Sequence, residues 1–472
     1  MTQKRISRDQ VLSDLPPEWP EDALANIQGQ LQTRGTKVVV LDDDPTGTQT
    51  VHDLPVLTQW SLEALIEELR DRSPAFFLLT NSRSVTLEDA RAMNFEIGRN
   101  LKEASRVTGQ KTVVISRSDS TLRGHFPGEV EALSEGLGER FDACLVIPAF
   151  MEGGRYTIDD IHYVSEGNFL VPAGKTEFAR DPAFGYKASN LREWVEEKTS
   201  GRILSKAVAS VSIADIRRGG PERVAALLSD LKKCSVCIVN AASDRDLETF
   251  TKGLLLAEAS GKRFLYRTAA SFVRVRAGMH PKPILTGSDL GLSKAGGALI
   301  VVGSYVPRTT SQLNALRKQN RVVWVEVDVK ALLDDNRRLE AVKDAVERTN
   351  RALHQERDTA VFTTREVTSG KEIETNLSIG KKISEGLVSI VKGVSTRPRY
   401  ILAKGGITSS VIATHGLGVK RAMVLGQVAP GVPVWQLGPE SRHPGLIYIV
   451  FPGNVGELQA LVEVVKKMGP DL

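Results

Sequence analysis

What the sequence has little of narrows its possibilities first. It holds three cysteines in 472 residues. Three thiols cannot build a disulfide framework, so a reducing cytoplasm is the expected setting. No window comes near the roughly 18 uninterrupted apolar residues that a membrane span needs. The opening stretch, MTQKRISRDQVLSDLPPEWPED, is polar and lacks the apolar core of a signal peptide. The net charge of +5 comes from 62 basic and 57 acidic side chains, interleaved along the chain. Without a basic block, neither nucleic acid nor membrane is expected as a partner. A mild positive excess suits small anionic ligands equally well. Several catalytic motifs are missing as well. Gly174-Lys175-Thr176 resembles the end of a P-loop, but Phe169 stands where its first glycine is needed. No G-x-G-x-x-G follows a strand, and there is no H-E-x-x-H or G-x-S-x-G. Cys234 and Cys237 open a strand with no second pair, which reads as inert thiols. There is no internal repeat and no low-complexity tract.

What is present is an alternation of short apolar runs with amphipathic stretches. At 472 residues, 41% hydrophobic and 25% charged, the chain is long enough for two soluble domains. Runs such as 37–41, 75–79, 112–116, 143–147, 236–240 and 263–266 are short and rich in β-branched or aromatic residues, as buried strands are. Helical patterns such as 61–70, 87–101 and 221–231 lie between them. The expected class is α/β, with two domains, each a largely parallel sheet flanked by helices. Residues 277–297 break the pattern with Gly, Pro and Ser and read as a linker. The expected organisation is a helical N-terminal extension over 1–35, a first domain over 36–276, the linker, and a second domain over 298–472.

In parallel α/β sheets, ligands bind beyond the carboxyl ends of the strands. In the first half, four strands are followed by Asp42-Asp-Asp-Pro-Thr-Gly-Thr48, Thr80-Asn-Ser-Arg-Ser84, Arg117-Ser-Asp-Ser-Thr-Leu-Arg-Gly124 and Pro148-Ala-Phe-Met-Glu-Gly-Gly-Arg155. Arg83, Arg123 and Arg155 can pair with a carboxylate, which a guanidinium does bidentately. Asp43, Asp44 and Asp119 can accept hydrogen bonds from sugar hydroxyls, and one can act as a general base. The alternative for each Asp is a helix cap or an Asx turn. Together they suggest an anionic, hydroxylated ligand.

The second half repeats a different arrangement. Three strands run into small-residue turns followed by helical patterns: Gly303-Ser304 to Thr309 through Gln312, Lys404-Gly405-Gly406-Ile407-Thr408, and Pro452-Gly453-Asn454. Glycine lets backbone approach an anion, and a helix N-terminus offers unpaired N–H groups. Three such junctions suit a di- or triphosphate. The alternative is that each glycine only shapes a tight turn.

In order, these motifs resemble the four-carbon acid sugar kinase family over about residues 37–465. Asp43-Asp44-Pro45-Thr46-Gly47 resembles its D-D-x-T-G, and Asp119-Ser-Thr-Leu-Arg-Gly124 matches its D-S-T-L-R-G. Pro148-Ala-Phe150, Gly154-Arg155 and His162-Tyr163 resemble a third element. Gly303-Ser304 with Gln312, Gly405-Gly406-Ile407-Thr408 and Pro452-Gly453-Asn454 resemble three more in the second half. The resemblance implies an ATP-dependent kinase whose first domain holds the sugar acid and whose second holds the nucleotide. The implied reaction is phosphorylation of the terminal hydroxyl of threonate, erythronate or an oxo-tetronate, with Mg²⁺ on the nucleotide. Substrate contacts carried over are Asp43 or Asp44, Arg83, Asp119, Ser120, Thr121 and Arg123. Nucleotide contacts carried over are Ser304, Gly405, Gly406, Ile407, Thr408 and Gly453. The metal ligand is not identified, and a homodimer is compatible with everything in the sequence. Rival functions are a sugar-acid aldolase or isomerase, and a non-catalytic sugar-acid sensor of the same fold. ATP consumption dependent on a four-carbon acid separates them.

Overall fold

A computed structural model describes residues 6–304, 306–319, 322–365 and 373–469. The first five residues of the expected extension, and residues 470–472 of the expected second domain, lie outside them. The chain divides into two compact units. One is Met1–Val51 with Gln59–Pro281, the other His52–Thr58 with Lys282–Leu472.

In the first unit, seven of the described strands form an all-parallel sheet. Their order is Ala209–Val211, Ser235–Val239, Ala143–Ile147, Phe264–Thr268, Lys111–Arg117, Thr36–Asp42, Ala75–Leu79. Ala75–Leu79 and Ala143–Ile147 are buried along their whole length, which is why their sequences are continuous apolar runs rather than alternating ones. The helix Leu87–Thr108 starts where the Thr86 side chain accepts the Asp89 N–H and stops at Gly109, whose φ is 70°. It packs closely on the helix Gly128–Leu137. A Cβ at Gly98 would sit 2.7 Å from the Leu133 carbonyl oxygen. That contact lies in the C-terminal half of Gly128–Leu137, the helix whose first turn carries Glu129.

The N-terminal segment is built into the first unit. Ile6–Ser7 pairs antiparallel with Phe169–Pro172 at the edge of a small sheet that continues through Ile161–Glu166 to Arg155–Ile158. Two helices follow, Arg8–Ser13 and Leu24–Arg34. The Pro16 carbonyl accepts from Arg217 Nη1 at 2.8 Å, and Gln28 Nε2 donates to the Gly278 carbonyl at 2.6 Å.

The second unit has a mixed sheet. Leu54–Leu57, Arg421–Ala429, Val432–Leu437 and Ile447–Phe451 run antiparallel in sequence. From Ile447–Phe451 onward the pairing is parallel, through Ile401–Lys404, Leu299–Val302, Asp358–Thr363 and Val322–Val327. The hairpin is an addition to the expected parallel pattern. Arg421–Ala429 alternates between buried and half-buried residues, as an antiparallel strand with one covered face does. Leu54–Leu57 pairs with Arg421–Val424, so His52–Thr58 groups with the second unit rather than with residues 36–276. An apolar tetrapeptide does not encode its partner. Residues 277–297 form no described helix or strand. By Leu285 the segment lies on the second unit, its N–H donating to Gln427 at 2.7 Å. Among the described residues no helix is long and apolar enough to cross a membrane.

Candidate functional site

The first cluster is assembled where neighbouring parallel strands of the first unit end. Thr36–Asp42 delivers Asp42 and, one and two residues on, Asp43 and Asp44. Asp42 and Asp43 are buried, while Asp44 keeps some exposure. Arg117 Nη1, at the end of the next strand, stands 3.1 Å from Asp42 Oδ1. Burial nevertheless pushes the Asp42 carboxyl up to about 7. A Cβ at Gly47 would run into that carboxylate, so the glycine of the first motif makes room for Asp42. Asp44 begins the short turn Pro45–Thr48. Its Oδ1 accepts the Thr46 N–H at 2.8 Å. The capping role considered for these residues therefore holds for Asp44, and it leaves Oδ2 for Arg83.

Arg83 is the hub. It reaches Asp43 Oδ1 through Nε at 3.2 Å, Asp44 Oδ2 through Nη2 at 2.8 Å and Asp119 Oδ1 through Nη1 at 3.9 Å. Burial works against its charge, and the carboxylates around it outweigh burial and hold its pKa above the ordinary arginine value. Asp43 Oδ2 accepts from Ser118 Oγ at 2.6 Å, while Oδ1 is buried with no hydrogen bond. Burial raises the Asp43 pKa against the opposing pull of Arg83 and Arg267. Asp119 goes the other way. Burial would raise it, but Arg123 and Arg83 hold it well below the usual carboxylate range.

The loop after Lys111–Arg117 is held from below by two side chains. His162 is fully buried, and its Nε2 lies 2.7 Å from the Ser120 carbonyl. Its Nδ1 lies 3.0 Å from Thr157 Oγ1. Burial pushes this imidazole down to about 4, so it is neutral, with Nε2–H donating and Nδ1 accepting. Tyr186 donates its hydroxyl to the Thr121 carbonyl at 2.7 Å. Ser120 and Thr121 thus contribute backbone anchors, and Thr121 Oγ1 also donates to Asp119. Gly124 closes the loop at φ 129°. A Cβ there would meet Arg267 Nη2 at 2.6 Å and Ser118 Oγ at 2.8 Å. Arg123 pairs with Asp119 at 2.6 Å and with Asp181 at 3.5 Å. Arg123 and Arg155 both stand over the Phe178 ring, 5.2 and 5.9 Å from its centroid. Asp43, Asp44, Arg83, Asp119, Arg123 and Arg155 are therefore brought into one neighbourhood.

Two members of this cluster escaped sequence reasoning. Glu129 and Arg267 are both buried, and Arg267 Nη1 donates to Glu129 Oε2 at 2.6 Å and to Ser116 Oγ at 2.9 Å. Ser82 donates to the other Glu129 oxygen. Burial opposes the Glu129 charge, and Arg267 with Ser82 overcomes it, lowering its pKa. The available signal was an arginine inside an otherwise apolar strand, Phe264–Thr268.

The second cluster is built from backbone turns. The Gly405 N–H donates to the Phe451 carbonyl at 2.8 Å and the Ser304 N–H to the Lys404 carbonyl at 3.4 Å. Thr309 Oγ1 donates to the Gly453 carbonyl at 2.8 Å and to Ser304 Oγ at 3.2 Å. Three glycines leave no room for side chains. A Cβ at Gly405, whose φ is 119°, would meet Ser304 Cβ at 2.9 Å, one at Gly453 would meet Ser304 Oγ at 2.8 Å, and one at Gly303 would run into Thr408 Oγ1. Ser304, Gly405, Thr408 and Gly453 are thus in contact. Gly406 begins the next helical turn, and Ile407 points outward, 53% exposed. Gln312 Nε2 donates to the carbonyls of Val455, Gly456 and Glu457, fixing the third turn. Among the described residues no group of three metal-ligating side chains gathers in either unit.

Comparison with known proteins agrees with this division. Residues 38–276 match the sugar-binding N-terminal domain, and residues 299–461 the nucleotide-binding C-terminal domain. A D-erythronate kinase of Heliobacterium modesticaldum is 26% identical over 318 residues, which are 65% of this chain and 66% of that protein. A 3-oxo-tetronate kinase of Cupriavidus necator is 28% identical over 326 residues, 67% of this chain and 70% of that one. The matched stretch thus spans about two thirds of each curated relative. A solved protein of Salmonella typhimurium LT2 superposes with a TM-score of 0.63 at 16% identity, covering 90% of this chain and 98% of its own. A Haemophilus influenzae protein does so with a TM-score of 0.57 at 18% identity, covering 91% and 100%. These two likenesses show the fold alone. With both domain families matched in order along one polypeptide, the chain belongs to the four-carbon acid sugar kinase family.

Proposed function

We propose that the protein is an ATP-dependent kinase that phosphorylates the terminal hydroxyl of a four-carbon sugar acid such as erythronate, threonate or an oxo-tetronate. The observation that carries this reading is Asp43 Oδ1, an unbonded carboxylate oxygen buried among arginines at the ends of parallel strands. Phosphoryl transfer asks for positioning and charge neutralisation rather than covalent chemistry. Arg123 and Arg155 take the carboxylate of the acid. Arg83 already faces three carboxylates, so its work is to hold Asp43 and Asp44 in place beside the substrate. Asp43 accepts the proton of the reacting hydroxyl, and its raised pKa makes it a stronger base than an ordinary aspartate. Asp119, Ser120 and Thr121 supply the remaining hydrogen bonds to the sugar hydroxyls.

In the second unit, Ser304, Gly405, Gly406, Ile407, Thr408 and Gly453 surround the nucleotide, with the glycines letting the phosphates approach the backbone. Mg²⁺ bound to a nucleotide keeps phosphate oxygens and waters as most of its ligands and takes only one or two carboxylates. Bound with the nucleotide, Mg²⁺ would neutralise phosphate charge.

The test is ADP formation in a coupled assay over a panel of four-carbon acids. ADP release that depends on one of them, with a phosphorylated acid as product, is the expected result. No stimulation by any acid, with the acids bound but unchanged, fits the sensor reading instead. Conversion of the acid without ADP formation fits an aldolase or isomerase.

A further inference from the structure

The second unit contains three basic side chains with no carboxylate partner among the described residues, each hooked to a backbone carbonyl of the turn cluster. Arg365 Nη2 donates to the Ser304 carbonyl, and its Nε and Nη1 are buried with no hydrogen bond. Arg308 Nη1 reaches the Asn454 and Gly456 carbonyls, each at 3.5 Å. Lys404 is fully buried, with Nζ donating to the Pro452 carbonyl at 2.7 Å and lying 3.9 Å from the Phe451 ring centroid. Lys404 also joins the turns through its backbone, since its carbonyl accepts the Ser304 N–H. Two arginine N–H groups left unpaired are costly unless an anion completes them, and a buried amine with a single protein acceptor has spare donor capacity that an anion can take up.

Resting on the nucleotide reading above, we propose that this cluster is a proton-coupled polyphosphate site. Arg308 and Arg365 hold the phosphates, and Lys404 gains a proton as the anion binds. Without the anion, burial pushes the Lys404 amine down to about 6, and the neighbouring Arg308 charge pushes the same way. Arg308, on the helix Pro307–Arg317, is the charged group that bears on Lys404. The Ile447–Phe451 strand presents a ring to it and the Leu299–Val302 strand is apolar. Glu326 acts on Arg365 from beyond ion-pair distance. A polyphosphate arriving beside Lys404 reverses the local field and favours the ammonium. Binding of the nucleotide therefore takes a proton from solvent at neutral pH and strengthens as pH falls.

The test is calorimetric titration of MgATP into the full-length chain at about pH 8, in buffers of different ionisation enthalpy, which counts protons taken up on binding. The wild type is expected to take up about one proton more than Lys404→Met or Lys404→Arg. Lys404→Arg keeps the charge and cannot titrate, so it binds without the uptake even where Lys404→Met folds poorly. For the wild type alone, uptake falls toward zero as the pH drops to about 5, where Lys404 is already charged. Arg308→Met and Arg365→Met each weaken MgATP binding by about tenfold or more. MgATP binding with equal proton uptake in wild type and both Lys404 variants overturns this inference while leaving the nucleotide site standing. No MgATP binding by the wild type overturns the nucleotide reading itself.

Discussion

The two clusters solve the problem of buried charge in opposite ways. In the first unit Arg83, Arg117, Arg123 and Arg267 each face a carboxylate at ion-pair distance: Arg83 with Asp43, Asp44 and Asp119, Arg117 with Asp42, Arg123 with Asp119, Arg267 with Glu129. The charges compensate one another before any ligand arrives. In the second unit Arg308, Arg365 and Lys404 have backbone carbonyls and, among the described residues, no carboxylate at ion-pair distance. A compensated network fixes geometry for a small, hydroxylated ligand whose orientation decides the chemistry. Two uncompensated arginines beside a buried amine are completed by a ligand that brings several negative charges. Removing a charge therefore has different consequences in the two places. In the first unit it strands a partner and costs stability. In the second it relieves an unmet demand and costs binding.

The largest effect is expected at Asp43. Asp43→Asn keeps the shape and the Ser118 hydrogen bond but removes the base, and turnover with the best acid falls about a thousandfold. MgATP affinity stays within about twofold, because Asp43 belongs to the other cluster. Steady-state kinetics with a parallel binding titration reads both. Turnover near the wild-type value removes the base role from this residue.

Next comes the pair that lies beneath the site. Arg267→Met leaves the Glu129 carboxylate buried and unpaired, a loss of about 3–5 kcal/mol in urea unfolding. Adding Glu129→Leu to the same chain restores most of it, since replacing both partners is far less costly than breaking the pair. A single variant as stable as the wild type contradicts the compensated-network picture of the first unit.

His162 gives a smaller, pH-dependent effect. Its pKa falls from an ordinary 6.5 to about 4 on folding, so the unfolded chain binds the extra proton between those values. Its contribution is complete above pH 6.5 and is lost as pH falls toward 4. The stability of the wild type relative to His162→Gln should therefore shrink by about 2–3 kcal/mol over that window. Asp42, raised to about 7, contributes in the opposite sense, gaining stability as pH falls below 7, but it is common to both chains and cancels in the difference. A difference that stays flat with pH shows that His162 is not buried as a neutral donor.

The smallest stability change is expected in the second unit. Arg365→Met should alter unfolding free energy by no more than about 0.5 kcal/mol, while MgATP binding suffers. A loss as large as that of Arg267→Met erases the contrast between the two clusters.

Most of the first cluster was legible in the sequence because parallel sheets put ligands at strand ends. Asp43, Asp44, Arg83, Asp119 and Arg123 all lie in the short polar segments that follow apolar runs. Glu129 was not legible. An acid in the first turn of a helix is common for reasons of the helix dipole alone, and its partner Arg267 lies 138 residues away. The strand Leu54–Leu57 kept its place hidden for a related reason, since its own four residues say buried strand and nothing about which sheet. In the second cluster the glycine turns were visible, while the cations that ring them were not. Arg308 and Arg365 look like ordinary surface arginines until the carbonyls of Ser304, Asn454 and Gly456 are seen to hold them.

The assignment of one ligand to each unit can be checked by a crossed binding experiment. MgATP and the preferred four-carbon acid are titrated separately into the wild type, Arg123→Met and Arg365→Met. The expected pattern is reciprocal: Arg123→Met loses the acid and keeps MgATP, and Arg365→Met loses MgATP and keeps the acid. If either substitution abolishes both ligands equally in a folded chain, or if the losses are exchanged, the two clusters do not divide the work as described.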